Sequence, residues 1–380
     1  MQLKTKLTLL KKDSNIFRNI NKITNRKPFP VIPALKSNDS VIIPDVVNHI
    51  EKINLLGQHF ENTHSKNMHM GNADRTNHIN RAITENFTVN SRQDYCELAT
   101  FSQQFPSDGS QLAPRLDNVR TLTNVEEVKS VLKQLKSKKS CGIDNISSYI
   151  LKKLPPPFLI LITILFNNCL NIGYFPKSWK IAKILAFPKH GKDVHRPASY
   201  RPISLLSCIS KIFESLIRNR IEDFADVNNI IPNFQFGFRK GHVTSHALAK
   251  FATDMTTSLS SGSFVVAVSL DIENAFDRVW IEGLMYKMKK IFNFPDFLVK
   301  IMFNYMNDRS FMVAAYNTNH ELQFSNLFRT KAGTPQGSIL APLMYNIYLS
   351  DLVSCSPNLR AGSCNTVMFA DDTIIYSSHN

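Results

Sequence analysis

Three carboxylates define the chemistry this sequence could do. Asp371 and Asp372 stand side by side in MFADDTIIY, between two short apolar runs, and Asp271 closes the valine-rich run SFVVAVSLDI. Runs of this length and composition predict strands, which places Asp271 at a strand end and the Asp371–Asp372 pair at the bend between two strands. A strand end is rigid and holds a carboxylate at a fixed place. If the strands are neighbours, Asp271 and Asp371 converge, and converging carboxylates repel unless a cation neutralises them. Hard divalent ions such as Mg²⁺ take oxygen ligands, binding through one or two carboxylates plus substrate phosphates. Two such ions about 3.5–4 Å apart stabilise the attacking and leaving oxygens of an in-line phosphoryl displacement. Taken alone, an aspartate at a strand end is more often a turn residue than a ligand. Glu273 and Asp277, two and six positions after Asp271, need not face the same side and stay outside this site.

The body that must position these groups is large enough for two packed domains, or one domain with a loose extension: 380 residues, 43% hydrophobic. Its formal charge of +15 calls for an anionic partner, nucleic acid or an acidic membrane surface. The apolar run FLILITILF (158–166), after Pro155, Pro156 and Pro157, is too short to span a bilayer and reads as a buried helix. The start, MQLKTKLTLLKKD, has lysines but no apolar core of a secretion signal. Cys96, Cys141, Cys169, Cys208, Cys355 and Cys364 show no CxxC spacing, which disfavours a zinc site and a disulfide framework and fits reduced intracellular thiols.

The first 115 residues or so, rich in Asn, Lys, Ser and His, are expected to be linker with partial disorder. His64, His69 and His78 lack ligand spacing and read as solvated histidines rather than a metal cluster. Val46–His64 has helical apolar spacing and is expected to dock on the body. Thr123 and Glu126 form a capping box for a helix burying Val125, Val128, Val131, Leu132 and Leu135, with Lys129, Lys133, Lys136, Lys138 and Lys139 on its solvated face. Further helices are predicted over 157–171, ending at Gly173, and over 204–224, with a strand over 181–187. The run 263–272 reads as a strand buried on both faces, and AFDRVWIEGLMYKMKKI after it as a helix with Phe276, Val279, Trp280, Leu284 and Met285 on one side.

In order along the chain, YRPISLLSCISKIFESLI from Tyr200, QFGFRKGHVTSHAL from Gln235, SLDIENAFDRV from Ser269, GTPQGSILAPLMYNIYLSDL from Gly333 and FADDT from Phe369 resemble the reverse transcriptases of jockey-like non-LTR (LINE-type) retrotransposons. KKSCGIDNISSYILKKLP (138–155) is similar to their upstream fingers motif, and the resemblance covers roughly 122–378 and, more loosely, 29–64. It implies an α+β, right-hand polymerase fold: fingers over 116–262 and palm over 263–380, a small antiparallel palm sheet backed by helices. It implies an RNA-directed DNA polymerase using an RNA template, a DNA primer and deoxynucleoside triphosphates with two Mg²⁺ ions, or Mn²⁺ in their place, and no membrane partner.

By the same resemblance Asp271, Asp371 and Asp372 are catalytic metal ligands, with the Ile272 carbonyl as a backbone ligand. Phe276 lies under the sugar of the incoming nucleotide and rejects a 2′-hydroxyl, although spacing alone equally makes it a core residue. Gln336, in the PQGS turn, packs near that nucleotide, and Lys189 and Arg201 reach its triphosphate, with Lys192 as a nearby alternative to Lys189. Gly237, Arg239 and Lys240 track the template. Asn274 stands where the family commonly has Lys, and Cys141 where it commonly has Pro. The later palm elements, primer grip and thumb would follow Asn380, and no early endonuclease pattern is found, so the chain is expected to be a fragment of a longer intracellular polyprotein, cytoplasmic or nuclear. Two alternatives stay open at this point: a catalytically inert nucleic-acid-binding remnant, and another metal-dependent phosphotransferase, which would need an Asp where Glu273 stands.

Overall fold

The computed structural model describes residues 32–35, 48–65, 76–77, 79–81, 83, 122–137, 140–272, 274–352 and 364–379. Most of the first 115 residues lie outside the described residues, as do His69, His78, Cys96, Lys138, Lys139, Glu273 and Cys355. The architecture mixes helices with two sheets.

The larger sheet packs against helix α1 (His49–Ser65). Strands β1 (Ile181–Pro188), β2 (Tyr200–Leu205), β4 (Arg309–Tyr316) and β5 (Leu322–Phe324) run in the order β2-β1-β4-β5, and β6 (Phe328–Thr330) also pairs with β4. Only β1 and β4 are parallel; the other pairs are antiparallel. Ile53, Leu56 and Phe60 of α1, spaced for one helix face, bury against Ala182, Ile184, Phe311 and Val313 together with Ile32 and Leu35. The docking expected of Val46–His64 is thus found, and the strands beneath it come from both sides of residue 262.

Helices α2 (Val125–Gln134), α3 (Pro156–Ile172) and α4 (Cys208–Val227) form the main core with α6 (Ile281–Tyr286), α7 (Asp296–Met306) and α8 (Ala341–Leu349). Its centre is aromatic: Phe166 stacks on Phe213 at 5.0 Å and Phe175 meets Tyr305 edge-on at 4.8 Å. α3 starts on prolines and ends at left-handed Gly173, as its sequence indicates, but the helix expected to be buried is so on one face only, with Ile160, Leu161, Ile164 and Leu165 exposed. Burial pushes the Cys169 thiol up to about 12, so this cysteine packs as an inert apolar group. Among the described residues no helix is long and apolar enough to cross a membrane.

The smaller, antiparallel sheet runs β3-β8-β7, from β3 (Phe264–Leu270), β7 (Cys364–Phe369) and β8 (Asp372–His379). Helix α5 (Thr244–Ser260) covers one face, where Ala247 and Phe251 meet Val265, Val367 and Tyr376. The expectation of a strand buried on both faces is corrected here. β3 lies at the sheet's edge, and Phe264, Val266, Val268 and Leu270, which share its other face, are exposed.

Local boundaries differ in three more places. The N-cap of α2 is Asn124, whose side chain accepts the Glu127 N–H at 2.8 Å, not Thr123. Ser204 and Leu205 finish β2, and α4 begins only at Cys208. The segment after Asp271 is not one helix: a 3₁₀ turn over Ala275–Arg278 breaks at Val279 and Trp280 before α6, which passes into a π turn over Lys287–Ile291.

Thr123 serves a different bond. Its hydroxyl donates to Glu127 Oε2 at 2.7 Å, while the nearly buried Arg220 of α4 donates to both Glu127 oxygens at 3.0 and 3.2 Å and to the Leu122 and Leu216 carbonyls. Desolvation tends to raise the Glu127 carboxyl, but the bonds from Arg220 and Thr123 outweigh it and hold its pKa below the usual value. A depressed carboxyl contributes stability above its unfolded pKa, about 4.3 for glutamate, and loses it as pH falls through the lower folded value. Glu127→Gln should therefore cost roughly 2–3 kcal/mol at pH 7, and much less in acid below that window. Urea midpoints of the two proteins at both pH values measure this; an equal gap at both would show that the ion pair does not link α2 to α4.

Candidate functional site

The β7–β8 hairpin turns on Ala370 and Asp371, with Phe369 paired to Asp372 across it. Ala370 takes a left-handed conformation at φ +60, costly for a residue with a Cβ, so something must hold it. Gln235 does: its Oε1 accepts the Ala370 N–H at 3.0 Å and its Nε2 donates to the Ala370 carbonyl at 3.1 Å. The same Oε1 accepts the Gly237 N–H at 2.8 Å, and Asn346 Nδ2 donates to the Gly237 carbonyl at 2.9 Å. A Cβ on Gly237 would sit 2.1 Å from the Ala370 nitrogen, so only glycine lets the two backbones meet. The QFG segment, Gln235 to Gly237, therefore clamps the turn that carries the aspartates.

Strand pairing brings in the third carboxylate. The last pair of β3 and β8 joins Leu270 to Thr373, which sets Asp271 and Asp372 next to each other at the end of the sheet. Asp271 and Asp372 are exposed there, whereas Asp371 is half-buried and turns into a cavity of about 570 Å³.

That cavity gathers residues from widely separated segments. Lys189 and Arg201 come from the ends of β1 and β2, Ile272 and Phe276 from the segment after β3, Gln336 from the PQGS turn, and Asp371 from the hairpin. Lys189 Nζ donates to the Ala198 carbonyl at 2.9 Å; Lys192, its alternative, does not line the cavity. Phe276 packs on Tyr345 at 4.6 Å and meets Phe238 edge-on, so it is at once a wall of the cavity and part of the core. The residues expected on the template do not line this cavity. Gly237 lies behind the hairpin, Arg239 donates to the Pro232 and Gln235 carbonyls, and Lys240 is exposed.

The turn carrying Gln336 is fixed from both sides. Gly333, at φ +82, lies so close to the Asp277 backbone that a Cβ would come within 2.6 Å of its carbonyl oxygen. The Gly333 and Thr334 N–H groups donate to the Val279 and Phe276 carbonyls at 2.9 and 2.7 Å. On the other side Glu214, fully buried in α4, accepts the Ser338 hydroxyl and the Ile339 N–H at 2.8 and 2.9 Å, and the Ser210 hydroxyl at 2.8 Å. Such a network rigidifies a loop because both oxygens of the buried carboxylate have donors.

Sequence reading missed Glu214, Gln235 and Asp277 as site residues. One signal was available for Glu214, a lone acid among Ile212, Phe213, Leu216 and Ile217 on the buried face of an amphipathic helix. Asp277, set aside on spacing, is buried on the cavity wall, and both its oxygens accept from Gln336 Nε2, at 2.8 and 3.0 Å. His64, read as solvated, is buried beside it.

The groups expected to hold a metal, the carboxylates of Asp271, Asp371 and Asp372 and the Ile272 carbonyl, are all hard oxygens, and of these residues Ile272 and Asp371 line the cavity. This set suits Mg²⁺ and offers nothing to a soft ion. No cluster of three or more His, Cys, Asp or Glu side chains that could hold a metal ion is formed among the described residues. Tyr345 is buried with its hydroxyl unpartnered among the described residues; burial, and then the charge of Asp371, push its pKa up, which keeps it a neutral phenol.

The sequence matches the family described as reverse transcriptase (RNA-dependent DNA polymerase) over residues 187–380. It is similar to a probable RNA-directed DNA polymerase from transposon BS of Drosophila melanogaster, 39% identical over 258 residues, which cover 67% of this chain and 28% of that protein. The RNA-directed DNA polymerase from mobile element jockey of the same species is 36% identical over 253 residues, covering 66% and 27%. The chain thus spans less than a third of these curated relatives. A solved apo telomerase from Candida tropicalis, truncated of its C-terminal domain, aligns weakly, with a TM-score of 0.41 and 12% identity over 92% of this chain and 88% of that one.

Proposed function

The chain belongs to the reverse transcriptase (RNA-dependent DNA polymerase) family, and from that premise we propose that it carries the nucleotide-adding site of an RNA-directed DNA polymerase of a non-LTR retrotransposon. Within this reading the three-stranded sheet and the helices behind it serve as palm, and β1 and β2 belong to the fingers, their sheet being completed by β4–β6 and covered by α1, all from outside residues 116–262. The observation that carries the proposal is the convergence of Lys189, Arg201, Ile272, Phe276, Gln336 and Asp371 on one cavity beside the paired ends of β3 and β8.

The reaction is attack of a primer 3′-hydroxyl on the α-phosphate of a deoxynucleoside triphosphate, with pyrophosphate leaving. Asp271, Asp371, Asp372 and the Ile272 carbonyl would hold Mg²⁺, which when bound supplies charge neutralisation at the reacting phosphate. Lys189 and Arg201 grip the triphosphate, the arginine through its planar fork of donors and the lysine as a point charge. Gln336, fixed through Asp277, packs against the nucleotide, and the segment from Gly237 through Arg239 and Lys240 follows the template. Catalysis is then positioning and charge stabilisation, with little covalent work by the protein.

Phe276 stands where a ribose 2′-hydroxyl would collide with its ring. Phe276→Val is expected to leave deoxynucleotide addition largely intact and to raise ribonucleotide addition by about tenfold or more. Single-nucleotide addition to a primer annealed to RNA, measured with each nucleotide type, tests both the polymerase reading and this role. A chain that adds templated deoxynucleotides but shows unchanged discrimination in the variant would remove Phe276 from the sugar site and leave the rest.

A further inference from the structure

We propose that His64, on a helix that precedes the family-matching segment, is a positioning residue of the nucleotide site: as an imidazolium it neutralises Asp277 and so holds the Gln336 carboxamide on the cavity wall. The inference rests on the polymerase reading of that cavity.

The protonation state follows from the partners. His64 Nδ1 lies 2.6 Å from the Phe60 carbonyl oxygen, which can only accept, so Nδ1 carries a hydrogen. His64 Nε2 lies 3.4 Å from Asp277 Oδ1, also an acceptor. An imidazole that donates from both nitrogens is the cation. In the neutral ring with Nδ1–H, the Nε2 lone pair would face a carboxylate, and the contact would become repulsive. Both side chains are more than 90% buried, so neither charge can turn to water instead.

Asp277 is the acid that meets the ring. The other ionisable groups around the two hollows beside His64 are His59, Lys189, Tyr200, Arg201, Arg278, Arg309 and Asp371. Burial, the largest influence, lowers the imidazole pKa, but the hydrogen bond and charge of Asp277 more than reverse it and leave it above the usual value. A raised histidine contributes fully below its unfolded pKa, about 6.5, and loses its contribution as pH rises through the folded value. The carboxylate so neutralised is the one that fixes Gln336, on a residue whose backbone also packs against Gly333. α1 therefore reaches the nucleotide through a chain of three side chains, His64, Asp277 and Gln336.

The test is the affinity of the 380-residue chain, loaded with RNA–DNA primer–template, for a deoxynucleoside triphosphate with Mg²⁺, followed from pH 6 upward. Wild type is expected to weaken by about tenfold as His64 loses its proton, a coupling of ordinary size. His64→Gln, whose amide can donate to Asp277 but brings no charge, should show no such pH-dependent loss and bind throughout at the weaker level wild type reaches at high pH. His64→Leu should bind about tenfold more weakly throughout. If His64→Leu does not fold, the comparison of wild type with His64→Gln still decides. A His64→Gln profile that tracks wild type, or a wild type flat in pH, overturns the inference and leaves the polymerase reading standing. A wild type that binds no deoxynucleotide at any pH overturns both.

Discussion

Asp371→Asn is expected to lower RNA-templated primer extension by at least about a thousandfold, because an amide cannot carry the charge that would hold a divalent ion against the reacting phosphate. Asp271→Asn should do the same, since strand pairing sets it at the end of β3 beside the start of β8. Neither change should disturb folding. Asp271 is exposed and Asp371 half-buried in a turn whose backbone is held by Gln235, so melting temperatures should shift little. Two residues that act on the same ion are not additive: the double variant should be hardly worse than either single one. Multiplicative losses would mean separate roles, and a single variant retaining most of its rate would remove that residue from the site.

The second large effect lies one layer behind. Gly237→Ala is expected to destabilise the chain by about 1–3 kcal/mol, the usual cost of overpacking, because its Cβ would meet the backbone nitrogen of Ala370 at 2.1 Å and backbone cannot swing aside. The strand pairing must yield, and it yields at the hairpin that presents Asp371. A displacement near 1 Å at a reacting group costs about a hundredfold in rate, so extension should fall by about that much even at temperatures where the variant is folded. Gln235→Ala should follow in the same direction, as left-handed Ala370 loses both side-chain bonds that hold it. Thermal melts paired with single-turnover extension separate the stability loss from the rate loss. A folded Gly237→Ala chain with undiminished rate would show that the clamp does not position the turn.

These two cases also mark where the sequence could be read and where it could not. The placement of Asp271, Asp371 and Asp372 at strand ends was legible because a valine-rich run and two short apolar runs announce the strands. The α1 helix was legible from its apolar spacing, as was α3 from its prolines and Gly173. The ordered motifs around Arg201, Gln336 and Phe369 carried the family resemblance, and the cavity joins residues from several of them. Gln235, Glu214 and Asp277 were not legible because each acts on groups far away in the chain: Gln235 on Ala370, Glu214 on Ser338 and Ile339, Asp277 on Gln336 and His64. A polar residue's partner across the fold has no local signature. The exposed face of β3 was misjudged for a related reason, since apolar composition shows that a strand can be buried but not what covers it.

The most direct test is extension of a DNA primer annealed to an RNA template by the 380-residue chain, with deoxynucleotides and Mg²⁺. The expected result is product whose sequence follows the template, requires the divalent ion and disappears in Asp271→Asn. A chain that binds the primer–template yet adds no nucleotide with Mg²⁺ or Mn²⁺ would contradict the polymerase reading and leave a nucleic-acid-binding remnant on the same scaffold.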